Sequence, residues 1–141
     1  MSEVETTDAT ETTDDAAARA VMTVALVGHC GPDTWMLRGA VGRWLPEAQI
    51  ALVEDRASVE ALAGPGTLML INRVLDGAFG PTTGLELVAE LAGRKGGPTV
   101  MLISNYPDAQ AEAEAAGAAP GLGKRDLGTP AAADRVRHAA G

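Results

Sequence analysis

A histidine and the only cysteine of the chain stand side by side at positions 29 and 30, directly after an apolar run. An imidazole and a thiolate are both metal ligands, and a thiol is also a redox group. A zinc site needs three or four ligands, so this pair alone does not make one. His29 and Cys30 therefore leave two interpretations open: part of a metal or redox site, or a small buried cysteine beside a surface histidine.

Three further polar residues each stand where an apolar run ends: Asn72, Ser104 and Lys124. In open parallel sheets, ligands bind beyond the carboxyl ends of the strands. We therefore predict one strand-end cleft that contains these three residues together with His29 and Cys30. Each also has a plainer interpretation: Lys124 as a surface lysine, Ser104 as a strand terminator that bonds local backbone, and Asn72 as a polar strand end. Asn72 is also placed to form a hydrogen bond with Lys124.

The elements that must position these residues alternate along the chain. Apolar runs rich in β-branched residues predict strands, and 3.6-residue periodicity, N-cap residues and Pro or Gly breaks predict helices. Strands are predicted at 21–27, 49–53, 67–72, 99–104 and 119–123. Helices are predicted at 35–45 with Asp33 as N-cap, at 58–63, at 85–92, from an Asp108 cap to Gly117, and from Pro130 to about Ala139 with Thr129 as N-cap. This order predicts an α/β, (βα)5 doubly wound parallel five-stranded sheet of the flavodoxin-like type.

Composition limits the function classes. Residues 1–18 carry six acidic side chains and no basic one, so we predict a disordered acidic tail there and one domain at 19–141. That domain has 13 acidic and 11 basic residues, which argues against a nucleic-acid surface. No apolar run is long enough to span a bilayer, the N-terminus does not resemble a signal peptide, and one cysteine fits a reducing compartment. We expect a cytoplasmic protein that binds neither nucleic acid nor membrane.

From about Thr23 to Ala140 the chain resembles the receiver domains of response regulators in two-component signalling. The segment TGLELVAEL at 83–91 is similar to the receiver helix that follows the phosphoacceptor loop. TVMLIS at 99–104 is similar to the fourth receiver strand, and AEAAGAAPGLGK at 113–124 to the segment that ends in the receiver lysine. The spacing from Ser104 to Lys124 also suits the family. The resemblance implies the receiver fold.

The chain departs from the receiver pattern at the positions that perform phosphotransfer. The acidic metal-binding pair reads Gly28-His29, the phosphoacceptor aspartate reads Asn72, and the aromatic switch position reads Gly121. An amide cannot form an acyl phosphate, and Mg²⁺ prefers oxygen ligands. Only Ser104 and Lys124 remain of the phosphate-sensing set. The resemblance therefore implies a degenerate receiver, or pseudo-receiver.

The first functional hypothesis is a stand-alone pseudo-receiver, without an output domain, that regulates by phosphorylation-independent protein binding. By resemblance, its partner, a signalling protein or a second copy in a homodimer, would dock on residues 108–139. The alternative is a small-molecule or metal/redox sensor that uses the cleft around His29, Cys30, Asn72 and Lys124. We expect no cofactor and no enzymatic activity, because no second histidine or oriented base is placed beside the cysteine.

Overall fold

The computed structural model describes residues 21–141, so the predicted tail at 1–18 lies outside the described residues. The described chain alternates strands and helices: β1 (Thr23–Val27), α1 (Gly31–Trp44), β2 (Gln49–Val53), α2 (Arg56–Leu62), β3 (Thr67–Asn72), α3 (Gly84–Ala92), β4 (Thr99–Ile103), α4 (Pro107–Ala115), β5 (Ala119–Leu122), a 3₁₀ turn (Lys124–Asp126) and α5 (Pro130–Ala140). Within residues 21–141, none of the helices is both long and apolar enough to cross a bilayer.

The five strands form one parallel sheet in the order β2-β1-β3-β4-β5. Alternate residues of β3 point to opposite faces, with Met69 packed among α2, α3 and α4 and Leu70 packed among α1 and α5. The predicted doubly wound parallel sheet is therefore confirmed. The strand order reverses between β1 and β3, which is the switch point where such sheets form ligand clefts.

Helices α1 and α4 begin earlier than the sequence predicts, each with a proline in its first turn. Helix α1 begins at Gly31 with Cys30 at the N-cap position, and α4 begins at Pro107 with Tyr106 at the N-cap position. The predictions of Asp33 and Asp108 as N-caps are both wrong, because each residue lies within the first helical turn. A proline in the first turn has no N–H to satisfy and a helical φ, so it moves each helix start toward the N-terminus. The Thr129 cap of α5 is confirmed, since its hydroxyl accepts a hydrogen bond from Ala132 N at 3.2 Å.

Strand β5 is short and irregular. Met101 of β4 pairs with Ala119 of β5, and Ile103 of β4 pairs with Leu122 of β5. Between these two pairs β4 advances by two residues and β5 by three. The extra residue forms a bulge around Pro120 and Gly121 because a proline cannot donate to the ladder. The bulged strand leads directly into the turn that carries Lys124.

Candidate functional site

Asn72, at the end of β3, both accepts and donates hydrogen bonds through its side-chain amide. Its Oδ1 atom accepts from Lys124 Nζ at 3.2 Å, while its Nδ2 atom donates to Gly28 O at 3.1 Å and to Val74 O at 2.7 Å. A carboxylate accepts but does not donate, so an ionised aspartate here would face two carbonyl oxygens. The local geometry is therefore matched to an amide.

The charge of Lys124 is neutralised by a residue that the sequence pattern assigns to a helix cap. Lys124 Nζ lies 2.6 Å from Asp33 Oδ2, and the two side chains are 24% and 25% exposed. The hydrogen bond from Lys124 is the largest cause that holds the pKa of Asp33 below its ordinary value. Asp33 reaches the lysine because it stands in the first turn of α1, above the end of β1. Lys124 is thus a paired, partly buried cation at the strand ends.

Gly28 occupies the first position of the acidic pair that the receiver resemblance describes, and the loop after β3 covers it. Gly28 has φ +74°, and a Cβ there would lie 2.6 Å from Leu75 Cδ2. Its carbonyl accepts a hydrogen bond from Asp76 N at 2.9 Å in addition to the one from Asn72. Leu75 therefore occupies the space that a side chain at position 28 would need. Among the described residues no group of three His, Cys, Asp or Glu side chains is close enough to hold a metal ion.

His29 is buried and Cys30 is partly exposed, the reverse of the plainer interpretation made from the sequence. His29 is 5% exposed, and its Nε2 atom donates to Leu70 O at 2.8 Å. Its Nδ1 atom is buried without a hydrogen-bond partner among residues 21–141. Burial is the main cause that lowers the pKa of His29 to about 4, so the imidazole is neutral at pH 7. The left-handed Gly28 turns the chain after β1, which ends the strand alternation that the sequence argument assumes.

Three of the five predicted site residues share one cleft. Asn72, Ser104 and Lys124 line a depression of about 230 Å³, together with Arg73 and Tyr106. Ser104 Oγ accepts a hydrogen bond from Tyr106 N at 3.1 Å, as expected of a strand terminator, and the Arg73 guanidinium lies over the Tyr106 ring.

The other two predicted residues, His29 and Cys30, do not line this depression. His29 lines a different depression, of about 380 Å³, with Glu54 and Asp76, and Cys30 is the N-cap residue of α1. His29 and Cys30 therefore lie beside the cleft that holds Asn72 and Lys124 without lining it.

Gln110 lies beside Gly121, the position that the receiver resemblance assigns to the aromatic switch. Its Nε2 atom donates to Leu102 O at 2.9 Å and Ser104 O at 3.0 Å, which fixes the side chain between β4 and β5. A Cβ at Gly121 would lie 2.5 Å from Gln110 Oε1. Gln110 is not among the residues predicted from the sequence, because a glutamine within an Ala-rich helix resembles any solvated polar residue. The backbone oxygen of Leu102 would lie even closer to that Cβ, so Leu102 and Gln110 together leave no room for a side chain at position 121.

Neither protein-family profiles nor curated protein sequences match this chain. Solved structures do match it. The crystal structure of a response regulator receiver domain from Rhodospirillum rubrum aligns with a TM-score of 0.56 at 13% identity, over 84% of this chain and 90% of that chain. A response regulator protein from Burkholderia pseudomallei, solved with a phosphorylated aspartic acid, calcium ion and citrate, aligns with a TM-score of 0.54 at 15% identity, over 84% of this chain and 65% of that chain. This chain therefore has the fold of response-regulator receiver domains.

Proposed function

We propose that this protein is a pseudo-receiver: a signalling module that acts by binding a protein partner and does not undergo phosphotransfer. The observation that carries the proposal is the hydrogen-bond pattern of Asn72, which uses both ends of an amide at the place where the receiver resemblance puts the phosphoacceptor aspartate. An amide nitrogen or oxygen does not serve as the nucleophile that forms an acyl phosphate.

Two further features support the loss of phosphotransfer. Gly28 has no carboxylate and is covered by Leu75, so one oxygen ligand for Mg²⁺ is missing and its space is filled. Lys124 already forms an ion pair with Asp33. A lysine that is paired in this way does not need a phosphoryl group to neutralise it. These contacts hold the cleft in one arrangement, which suits binding that is independent of phosphorylation.

The proposal also covers the cellular compartment of the protein and the surface that binds its partner. The single cysteine fits the reducing conditions of the cytoplasm, where two-component signalling proteins act. By the receiver resemblance, a signalling protein or a second copy of this chain would dock on residues 108–139. We propose a binding role in preference to an enzymatic one, because the described cleft contains a paired lysine, an amide and a backbone-bonded hydroxyl and no activated nucleophile.

The direct test is incubation with acetyl phosphate and Mg²⁺, followed by intact-mass analysis. We expect no labile phosphate adduct, while a receiver with its aspartate intact, treated in parallel, is modified. The Asn72→Asp variant should also remain unmodified, because Gly28 and His29 still provide no carboxylates for the metal. A phosphate adduct on the wild-type protein at the end of β3 would disprove the proposal.

A further inference from the structure

The depression that His29 lines is a further concave site, and it shares no lining residue with the cleft that contains Asn72 and Lys124. This His29 depression has a volume of about 380 Å³. A water molecule takes up about 30 Å³ in the liquid, so this volume suits a ligand of roughly a dozen non-hydrogen atoms. The first turns of α1, the end of β2 and the loop after β3 form its walls, and its lining includes His29, Trp35, Arg38, Leu52, Glu54 and Asp76.

His29 gives the depression a hydrogen-bond acceptor that has no donor. The Nε2 atom of the ring already donates to Leu70 O at 2.8 Å. The other ring nitrogen, Nδ1, is buried and has no hydrogen-bond partner among residues 21–141. Buried polar atoms in proteins are nearly always paired, with the protein itself, with water or with a ligand. The missing partner of Nδ1 is therefore a group that brings an N–H or O–H donor.

Three charged side chains of the lining have no ion-pair partner within residues 21–141. Glu54 follows β2, Asp76 lies on the loop after β3, and Arg38 lies on α1. All three are exposed, and none takes part in an ion pair. The depression thus has two carboxylates on one side and a guanidinium on its helix side. Such a distribution of charge is complementary to a ligand that carries both signs of charge itself.

Trp35 and Leu52 add an apolar wall. Trp35 is 78% exposed and Leu52 is 46% exposed, although both are large apolar side chains. The sequence pattern, in contrast, places Trp35 nearly in line with Trp44, which is buried. Small-molecule sites typically combine apolar and aromatic side chains with a few polar groups that fix the orientation of the ligand. The His29 depression has this combination.

We propose that the His29 depression binds a free α-amino acid with an apolar side chain. The ammonium group of the ligand donates to His29 Nδ1 and is attracted by the two carboxylates of the lining. The carboxylate of the ligand pairs with Arg38, and its side chain packs on Trp35 and Leu52. This inference is separate from the proposed binding of a protein partner, so either one can fail without the other.

Simpler occupants would use only part of this site. A metal ion does not fit, because no three His, Cys, Asp or Glu side chains of the described residues are close enough to hold one. An anion without a cationic group would face the carboxylates of Glu54 and Asp76, and a cation without an anionic group would leave Arg38 unpaired. An amino acid satisfies both signs of charge and covers the apolar wall as well.

The test titrates L-leucine into ¹⁵N-labelled protein at pH 7 and follows the indole N–H signal of Trp35 by NMR. Trp44 is buried in the core and serves as the internal reference. N-acetyl-L-leucine, which lacks the ammonium group, and L-leucinamide, which lacks the carboxylate, are the matched control ligands. We expect L-leucine to shift the Trp35 signal in a saturable way. Each control ligand should bind about tenfold more weakly or worse, because it loses a charged hydrogen bond.

Variants of exposed side chains separate this site from the rest of the surface. Arg38→Met and Glu54→Gln should melt like the wild type, yet each should weaken L-leucine binding about fivefold, as expected for the loss of one exposed ion pair. Arg43→Met and Glu112→Gln are the matched controls, since both side chains are exposed and neither lines the depression. They should bind L-leucine as the wild type does.

Three results would overturn the inference. The first is the absence of a saturable Trp35 shift with L-leucine. The second is equal binding of L-leucine and N-acetyl-L-leucine. The third is wild-type affinity in both Arg38→Met and Glu54→Gln. All three leave the acetyl phosphate test of the proposed function unaffected, because that test follows chemistry at the end of β3.

Discussion

His29 combines deep burial, one hydrogen bond to Leu70 O and an unpartnered Nδ1 atom. Because Leu70 O can only accept, the proton of the neutral ring must be on Nε2, and the buried Nδ1 atom carries a lone pair. Protonation of Nδ1 would create a charge in a desolvated place close to Lys124. Protonation of His29 is therefore unfavourable in the folded protein.

We predict that His29 makes the fold less stable in acid. The pKa of His29 is lowered from 6.5 to about 4 in the folded protein. Between these values the unfolded chain binds a proton that the folded chain does not, so the free energy of unfolding decreases as the pH falls from 6.5 toward 4. The loss reaches at most about 3 kcal/mol.

The measurement is urea unfolding at a series of pH values for wild type and the His29→Gln variant. Glutamine keeps an N–H donor for Leu70 O without a group that titrates in this range, so the variant should lose less stability between pH 6.5 and 4 than the wild type does. His138→Gln, on the exposed side of α5, is the matched control and should follow the wild type. Parallel pH curves for His29→Gln and wild type would contradict the assignment.

At the scale of the elements, a glycine is tightly enclosed at the start of α3 and faces open space in the middle of α1. Gly84 begins α3 immediately after the Thr83 cap, whose hydroxyl accepts from Glu86 N. A Cβ at Gly84 would lie 2.7 Å from Arg73 O, so the helix start is pressed against the end of β3. Gly42, in contrast, faces open space on α1. Position along a helix does not distinguish these two glycines, but the packing of the helix does.

We predict opposite effects for one substitution at these two places. Gly84→Ala should destabilise the protein by about 1–3 kcal/mol, because the methyl group forces the β3–α3 connection apart. Gly42→Ala should stabilise it by about 1 kcal/mol, because alanine loses less backbone entropy in a helix. Thermal or urea unfolding of the two variants beside the wild type measures both effects. A stable Gly84→Ala protein would show that α3 can shift away from Asn72 without cost.

At the scale of the whole molecule, charge is distributed unevenly along the chain. Residues 1–18 hold six of its acidic side chains, and the rest of the chain is close to neutral. A segment of charged and Thr-rich composition buries little apolar surface. The core of the described domain is built from the apolar faces of the sheet and helices at residues 21–141.

We predict that deletion of residues 2–18 leaves the melting temperature of the domain almost unchanged. The shortened chain keeps the bond from Val21 N to Ala140 O that joins the start of the domain to the end of α5. Differential scanning calorimetry of the full and shortened chains makes the comparison, and a further deletion through Val21 serves as the control that should melt lower. A fall of many degrees for the first deletion would show that the acidic segment packs on the domain.

Much of this protein follows from local sequence pattern. Alternating apolar runs and helical periodicity predict the (βα)5 order, because a strand or helix imposes its own period on the residues it buries. Parallel strands align their carboxyl ends, so the positions of Asn72, Ser104 and Lys124 at the ends of apolar runs are enough to assign them to one edge of the sheet. That position 72 holds an amide and not a carboxylate is likewise a matter of residue identity alone.

Only the tertiary structure decided which groups meet at that edge. Lys124 and Asp33 lie 91 positions apart in the chain, and no periodicity relates them. Leu75 covers Gly28, and Gln110 fills the space beside Gly121, because a loop and a helix pack against strands that are distant in sequence. The burial of His29 and the exposure of Trp35 depend in the same way on where the chain turns after Gly28 and on which neighbours cover α1. Sequence pattern reports the side chains near one another along an element, whereas contacts between elements depend on how the whole sheet is wound.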